Sequence, residues 1–371
     1  MSSSTQAVSI EASELARRLA AGERVTVLDV RPDAEEAVAG EGVTTKRVDP
    51  ESALADPRGL ARELEGPVVV ACNRGIKAQP VAAALREAGA DALVLAGGLR
   101  AWLATLQARP VELGLPGLEL RQIQRPGRGC LSYLLAGDGR ALVVDPAPEV
   151  DFYPAQAREL GVEIGWVFDT HLHADHISGA RALADATGAE LLLPAASLER
   201  GVAYAERVTP VEDGWRLELG GHELRALALP GHTTDMTGLL VGGRALISGD
   251  SLFADGIARP DLQRRDHEGA RAMARTLHRT LHERVLSLPA QTVLLPGHAR
   301  PGVRSQAVAP SLAEVRRALP ELDLDADAFA AAVAEDLPPR PANFVQVIEV
   351  NSGLRPADPE LEQGGNSCAT R

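Results

Sequence analysis

Cysteine is scarce, with three in 371 residues. That excludes a disulfide-stapled scaffold and points to a reducing compartment. Lysine is scarcer: Lys46 and Lys77 stand alone among 38 basic residues, as a coding bias towards Arg and Ala would produce. No run approaches the ~18 apolar residues of a membrane helix, so no membrane association is expected. The opening, Met1 to Ile10, lacks both a basic start and an apolar core. No secretory leader is therefore expected, and the cytoplasm is the expected location. Positive charge is in deficit, 38 Lys and Arg against 51 Asp and Glu, a net −13. Such a surface is poorly suited to nucleic acid phosphates, so no nucleic acid partner is expected, although a local basic pocket for an anionic substrate stays compatible. No internal repeat of fixed period is present. Hydrophobic residues make up 45%, enough for packed cores. At ~150 residues per domain the length suggests two domains.

Residues 1–107 alternate helical and strand-like stretches. Ser13 to Ala21 has a helical pattern, Val25 to Val30 and Pro67 to Ala71 are apolar runs of strand length, Ala78 to Ala88 has the helix period, and Ala92 to Leu95 is a third strand. This order implies a parallel sheet covered on both faces. Turn signals without periodicity, Arg109-Pro110 and Leu115-Pro116-Gly117, place a linker at 108–117. A second domain is expected over 118–310. It opens with Leu131 to Ala136 and Ala141 to Asp145 across the turn Gly137-Asp138-Gly139. Further strand-like runs follow at Trp166–Asp169, Leu224–Leu229, Gly238–Val241, Ala245–Ser248 and Thr292–Leu295. Residues 311–371 read as a helical extension with an irregular tail.

The most specific signal is Thr170-His171-Leu172-His173-Ala174-Asp175-His176, directly after an apolar strand. Three histidines and an aspartate within six residues are too many for core positions. Imidazole and carboxylate are borderline ligands suited to Zn, Fe or Mn. His232, Asp250 and His298 each follow an apolar run and a glycine, so each projects from a tight turn at a strand end. His222, His267, His278 and His282 match no motif and read as surface or helix residues.

Together, in this order, these residues resemble the metallo-β-lactamase fold superfamily over roughly residues 118–300. The resemblance implies an αββα sandwich with the metal site at one edge of the two sheets. The segment Leu252 to Gln263, with Arg259-Pro260-Asp261-Leu262, is similar to the persulfide dioxygenases, also called sulfur dioxygenases, especially forms fused to rhodanese domains. Arg121-Gln122, Ser132-Tyr133-Leu134 and Leu277 to Pro289 carry the same likeness. Two positions depart from it: Ala299-Arg300-Pro301 replaces an aromatic after the last motif histidine, and Ile257 stands where a cysteine is usual. The resemblance implies one Fe(II) per chain held by His171, His232 and Asp250, a facial triad with open positions for persulfide and O2. It implies that His173, Asp175, His176 and His298 orient those ligands, or hold a second metal in the alternative below. Arg259 is the candidate grip for a carboxylate of glutathione, or else a partner of Asp261 within its own loop.

In the first domain, Cys72-Asn73-Arg74-Gly75-Ile76-Lys77 links a strand to a helix. A cysteine there meets backbone N–H groups and the positive end of the helix, which stabilise a thiolate or persulfide anion. A buried packing thiol is the bland alternative. Val27-Leu28-Asp29-Val30-Arg31 and Leu95-Ala96-Gly97-Gly98-Leu99-Arg100-Ala101-Trp102 resemble the opening and closing elements of rhodanese domains over residues 8–107. The histidine-containing stretch usual after the first strand is replaced by Gly40-Glu41-Gly42-Val43. The resemblance makes Cys72 the sulfur carrier, with Arg74, Gly75 and Lys77 forming a loop that attracts thiosulfate or persulfide. Cys130 and Cys368 read as packing or surface thiols.

The expected fold class is thus a two-domain α/β chain: a rhodanese-like parallel sheet followed by a metallo-β-lactamase sandwich. The expected activity is Fe(II)-dependent oxidation of glutathione persulfide, or a similar small persulfide, to sulfite and thiol, coupled to sulfur transfer at Cys72. The expected partners are small persulfides and thiols, thiosulfate or sulfite, and O2; a homodimer stays open. Two rivals remain open as well. One is a binuclear Zn(II) thioester hydrolase of glyoxalase II type, using all seven motif residues. The other is a non-enzymatic sulfur-relay protein.

Overall fold

A computed structural model describes residues 8–31, 37–264, 266–335, 337–341 and 343–362. Cys368 and the irregular tail lie outside them. The chain divides into two compact units. The first comprises residues 1–107 with Gln124–Gly129 and Arg300–Gln306, and the second comprises Ala108–Ile123, Cys130–Ala299 and Ala307–Arg371.

The first unit is built on strands β1 (Ser9–Ile10), β2 (Val25–Asp29), β3 (Val43–Arg47), β4 (Val68–Ala71) and β5 (Ala92–Leu95). Their order is β1-β5-β4-β2-β3, and every pairing is parallel. The central strands β2 and β4 are buried throughout, as a sheet covered on both faces requires. Helix Ala78–Glu87 packs Ala78, Val81, Ala82 and Leu85 against one face, following its 3.6-residue period. Helix Ala12–Ala20 does the same on the other face with Leu15, Ala16 and Leu19. The edge strand β3 went unrecognised in the sequence because Val-Thr-Thr-Lys-Arg carries little apolar signal and no residue of it is buried.

The second unit holds two sheets. The first runs over β6 (Gln107–Pro110), β7 (Glu119–Arg125), β8 (Cys130–Gly137), β9 (Arg140–Val144), β10 (Glu163–Phe168), β11 (Glu190–Pro194) and β12 (Thr209–Val211), in the order β12-β11-β10-β9-β8-β7-β6. The stretch 108–117, read as a linker, therefore opens inside a strand, and Val111 N–H donates to the Leu120 carbonyl at 2.9 Å. Asp138 and Gly139 both have positive φ, the two-residue turn that matches the twist of the β8–β9 hairpin. The other sheet is β13 (Arg216–Leu219), β14 (His222–Ala228), β15 (Thr237–Val241), β16 (Ala245–Gly249) and β17 (Val293–Pro296), in sequence order.

Alternation along the strands builds the layer between the sheets. Leu131, Tyr133 and Leu135 from β8 meet Leu224 and Ala226 from β14, Leu239 and Val241 from β15, and Ala245 and Ile247 from β16. A fully buried leucine of this kind contributes ~1.5–3 kcal/mol. Helices Phe152–Glu159 and Ala180–Thr187 cover the first sheet. Helices His267–Thr280, Leu312–Ala318 and Ala326–Ala334 share a core with Leu227, Leu240, Leu246 and Leu294 of the other. The architecture is the expected αββα sandwich. Among the described residues no helix is long and apolar enough to cross a membrane.

Candidate functional site

The candidate metal ligands all leave the C-terminal ends of strands: His171 after β10, His232 after β14, Asp250 after β16 and His298 after β17. The ladders fix the strand ends, and the turns that follow set side-chain direction. Gly297 is required here, because a Cβ at that position would lie 2.4 Å from Asp250 Oδ1. Tyr133 ties down the end of β17, its hydroxyl donating to the Pro296 carbonyl at 2.6 Å.

The structure brings His171, His232 and Asp250 into one buried cluster, with ligand atoms within 4.8 Å of one another. Asp250 Oδ2 lies 3.9 Å from His171 Nε2 and 3.8 Å from His232 Nε2. These three atoms are buried without hydrogen-bond partners. Orphaned polar atoms are costly in an apolar interior. Two imidazole nitrogens and one carboxylate oxygen converging on one point are a donor set that a divalent transition metal satisfies.

The opposite atom of each candidate ligand is held. His232 Nδ1 donates to the Arg259 carbonyl at 2.9 Å, which leaves the Nε2 lone pair free. Thr170 Oγ1 donates to Asp145 Oδ2 at 2.9 Å, so its oxygen accepts from His171 Nδ1 at 3.0 Å. Asp250 Oδ1 takes His298 Nδ1 at 2.8 Å. Burial drives the His171 imidazole well below its usual pKa and lowers His232 as well. Burial pushes the Asp250 carboxyl up, but His298, His171 and His232 overcome this and hold it below the usual carboxylate range. Neutral imidazoles and an ionised carboxylate are the forms that bind metal.

The remaining motif residues form two neighbouring clusters. Asp175, His176 and His298 gather with Cys130, whose thiol is buried. His176 Nδ1 lies 3.1 Å and His298 Nε2 2.9 Å from Asp175 Oδ2. His173 gathers with Asp145 and Asp169, its Nε2 at 3.1 Å from Asp145 Oδ1, while its Nδ1 is buried without a hydrogen-bond partner. Burial opposes the charged form of His173, yet Asp145, Asp169 and Asp175 outweigh it and raise its pKa to about 10. Burial raises Asp169 to about 7.

Arg259 is fully buried. Its Nε donates to Asp261 Oδ1 at 2.7 Å, and its Nη2 donates to Asp261 Oδ2 at 3.1 Å and to the Pro338 carbonyl at 2.8 Å. Of the two roles open to it in the sequence, this geometry matches the pairing within its own loop. In the first unit, Cys72 is buried at the end of β4, ahead of helix Ala78–Glu87. Arg74 and Lys77 are exposed, and Gly75 has φ +79°. Leu99 N–H donates to the Cys72 carbonyl at 2.9 Å, an approach only glycine at 98 permits, since a Cβ there would lie 2.1 Å from that oxygen.

Sequence reasoning missed four groups that build the site. Asp145, with φ +51°, accepts Thr170 N–H at 2.7 Å. Asp235 accepts Leu172 N–H at 3.0 Å and is paired with Arg200. Cys130, expected as a packing or surface thiol, is buried and gathers with Asp175, His176 and His298; nothing near it in sequence marks it. Asn351 binds the ligand loop from far downstream. Only Asp145 carried a local signal, a charge at the end of an apolar strand before a proline.

This fold and this histidine and aspartate constellation define a metallo-beta-lactamase-type metal protein, and the chain belongs to the metallo-beta-lactamase superfamily, whose model matches residues 125–298. A rhodanese-like domain matches residues 11–105. Among curated relatives, the mitochondrial persulfide dioxygenase ETHE1 of Bos taurus is 30% identical over 244 residues, 64% of this chain and 89% of that protein. A hydroxyacylglutathione hydrolase of Acidiphilium cryptum is 31% identical over 236 residues, 62% of this chain and 87% of that protein. The crystal structure of ETHE1 from Myxococcus xanthus superposes with a TM-score of 0.55 at 28% identity, covering 63% of this chain and 98% of that one.

Proposed function

We propose that the second unit oxidises a low-molecular-weight persulfide, foremost glutathione persulfide, to sulfite and the free thiol at a single Fe(II), and that Cys72 of the first unit carries sulfane sulfur. The stoichiometry balances with one persulfide, one O2 and one water giving one thiol, one sulfite and two protons. The reading assigns sulfur transfer to residues 1–107 and oxidation to residues 118–310. The carrying observation is the convergence of three orphaned atoms, His171 Nε2, His232 Nε2 and Asp250 Oδ2. Three protein ligands leave positions free for two small reactants. When bound, the iron would hold persulfide sulfur and O2 side by side and would pass electrons from the sulfur to O2. The chain's own part is to keep His171 and His232 neutral, to fix their tautomers through Thr170 and the Arg259 carbonyl, and to hold Asp250 through His298. Likeness to the persulfide dioxygenases, together with a rhodanese-like domain, supports sulfur chemistry over other reactions of the superfamily.

A two-zinc thioester hydrolase is the second reading. It is favoured by relatives named hydroxyacylglutathione hydrolase at similar identity and by the cluster of Cys130, Asp175, His176 and His298. Against it, Asp250 Oδ1 is already held by His298 Nδ1 at 2.8 Å and would have to leave that partner to serve a second metal. Anaerobic purification and metal quantification, followed by O2 uptake with glutathione persulfide, decide between them. One iron with O2 consumption supports oxidation; two zinc ions with thioester cleavage replace it.

A further inference from the structure

Residues 169–179, which carry most of the metal motif, belong to neither helix nor strand. All but the half-buried Ser178 are buried, and buried backbone groups need partners. Part of that need is met from far downstream. Helix Phe344–Asn351 ends on Asn351, whose side chain is buried. Its Nδ2 donates to the carbonyls of His173 and His176, both at 2.9 Å. Its Oδ1 accepts Ser178 N–H at 2.9 Å. One carboxamide thus uses both donors and its acceptor on three backbone groups of the ligand loop.

Asn351 is itself held in place. Tyr204 Oη donates to its backbone carbonyl at 2.7 Å, and Ala203 N–H donates to the Ser352 carbonyl at 2.8 Å. Glu362 adds a further tie, accepting Ile177 N–H at 2.8 Å. The loop is therefore held at His173, His176, Ile177 and Ser178 by the segment 343–362.

We infer that Asn351 is a positioning residue for the metal centre, setting the path of the loop that presents His171. This rests on His171, His232 and Asp250 being the metal ligands. The chemistry selects asparagine. Aspartate has the same shape but, ionised, offers only acceptors, so two carbonyls would lose their donors and face a negative charge. Alanine would leave two carbonyls and one N–H buried without partners.

The test uses the full chain stripped of metal and titrated with Co(II), followed by the visible d–d absorption of the bound ion. The Asn351→Asp protein is expected to bind Co(II) ~10–100-fold more weakly, the loss usual when an outer partner of a ligand is removed. Its d–d bands are expected to shift, because the ligand geometry has changed. A folded Asn351→Asp protein with an unaltered spectrum and affinity within twofold of the parent overturns the inference, even if it melts earlier. A parent chain that binds no Co(II) overturns the ligand assignment and this inference with it. Should Asn351→Asp fail to fold, Tyr204→Phe removes one bond behind Asn351. It is expected to weaken Co(II) binding by ~2–10-fold, in keeping with one hydrogen bond; unchanged binding in that variant overturns the inference as well.

Discussion

His298 Nδ1 is bound to Asp250 Oδ1 at 2.8 Å, while Oδ2 of the same carboxylate faces the orphaned nitrogens of His171 and His232. The two oxygens of Asp250 are thereby divided between a protein partner and the metal position. Replacing Asp250 with alanine removes the only carboxylate of this cluster. Asp250→Ala is expected to purify without iron and to consume no O2, while sulfur transfer at Cys72 continues. Metal quantification checks this, and full iron occupancy in the variant would defeat the assignment.

His173 is bound to Asp145 through Nε2. His173→Ala is expected to lower persulfide oxidation ~10–100-fold without emptying the site, as for a residue that orients a ligand. Metal content and turnover are measured on the same preparation. Loss of one of two bound zinc ions in the variant would instead establish the hydrolase.

Cys72→Ser is expected to abolish sulfur transfer from thiosulfate to glutathione and leave oxidation of supplied glutathione persulfide nearly intact. A serine hydroxyl is not ionised near neutrality and cannot carry sulfane sulfur. O2 uptake with each substrate separates the outcomes. If the folded, iron-loaded variant no longer oxidises added persulfide, the two activities are not separable.

Metal binding should resist acid. Burial lowers the pKa of His171 and His232, so both stay neutral below the usual imidazole range. Protons therefore begin to compete with metal at lower pH than for free histidine. Two ordinary imidazoles would cost roughly 100-fold in affinity between pH 8 and pH 5.5. Co(II) affinity is expected to fall by less than about tenfold over that interval. A full 100-fold loss in the titration would mean that the imidazoles are not shielded.

The Arg259–Asp261 pair predicts a stability effect. Arg259→Met removes two hydrogen bonds to the Asp261 carboxylate and leaves it to Arg340, which donates to it at 2.9 Å. The expected cost is about 1.5–3 kcal/mol, measured by urea unfolding. Burial opposes ionisation of Asp261, but Arg259 and Arg340 hold its pKa below the usual value. Its contribution is therefore present above about pH 4 and lost as pH falls through the lowered folded-state value. Unchanged stability with weaker substrate binding would make Arg259 a substrate contact.

The sequence exposed whatever repeats at short range. Apolar runs at 67–71 and 92–95 and the period of 78–88 located the first sheet and a helix to within a residue. Residue type exposed the metal constellation, because histidines rarely cluster as in 171–176 without a ligand to hold. Polar edge strands such as Val43–Arg47 gave no such signal, since one edge needs no apolar face. Long-range support was invisible for a different reason. Asn351 meets His173 across 178 positions, and Cys130 joins Asp175, His176 and His298 only once β8 and β17 are in place. Neither carries a local pattern that would distinguish it from an ordinary amide or thiol.

The first unit is not one continuous stretch of chain. Val303, from the segment Arg300–Gln306, is buried in the same core as Leu15, Val27 and Trp102, and it bridges to Gly40. A stop codon after residue 107 would therefore yield a fragment missing part of its own interior, with apolar surface newly open to water. A linear cut cannot deliver the rhodanese-like unit whole. Gene fission between the two units would cost the first its packing, and that cost favours their remaining on a single polypeptide.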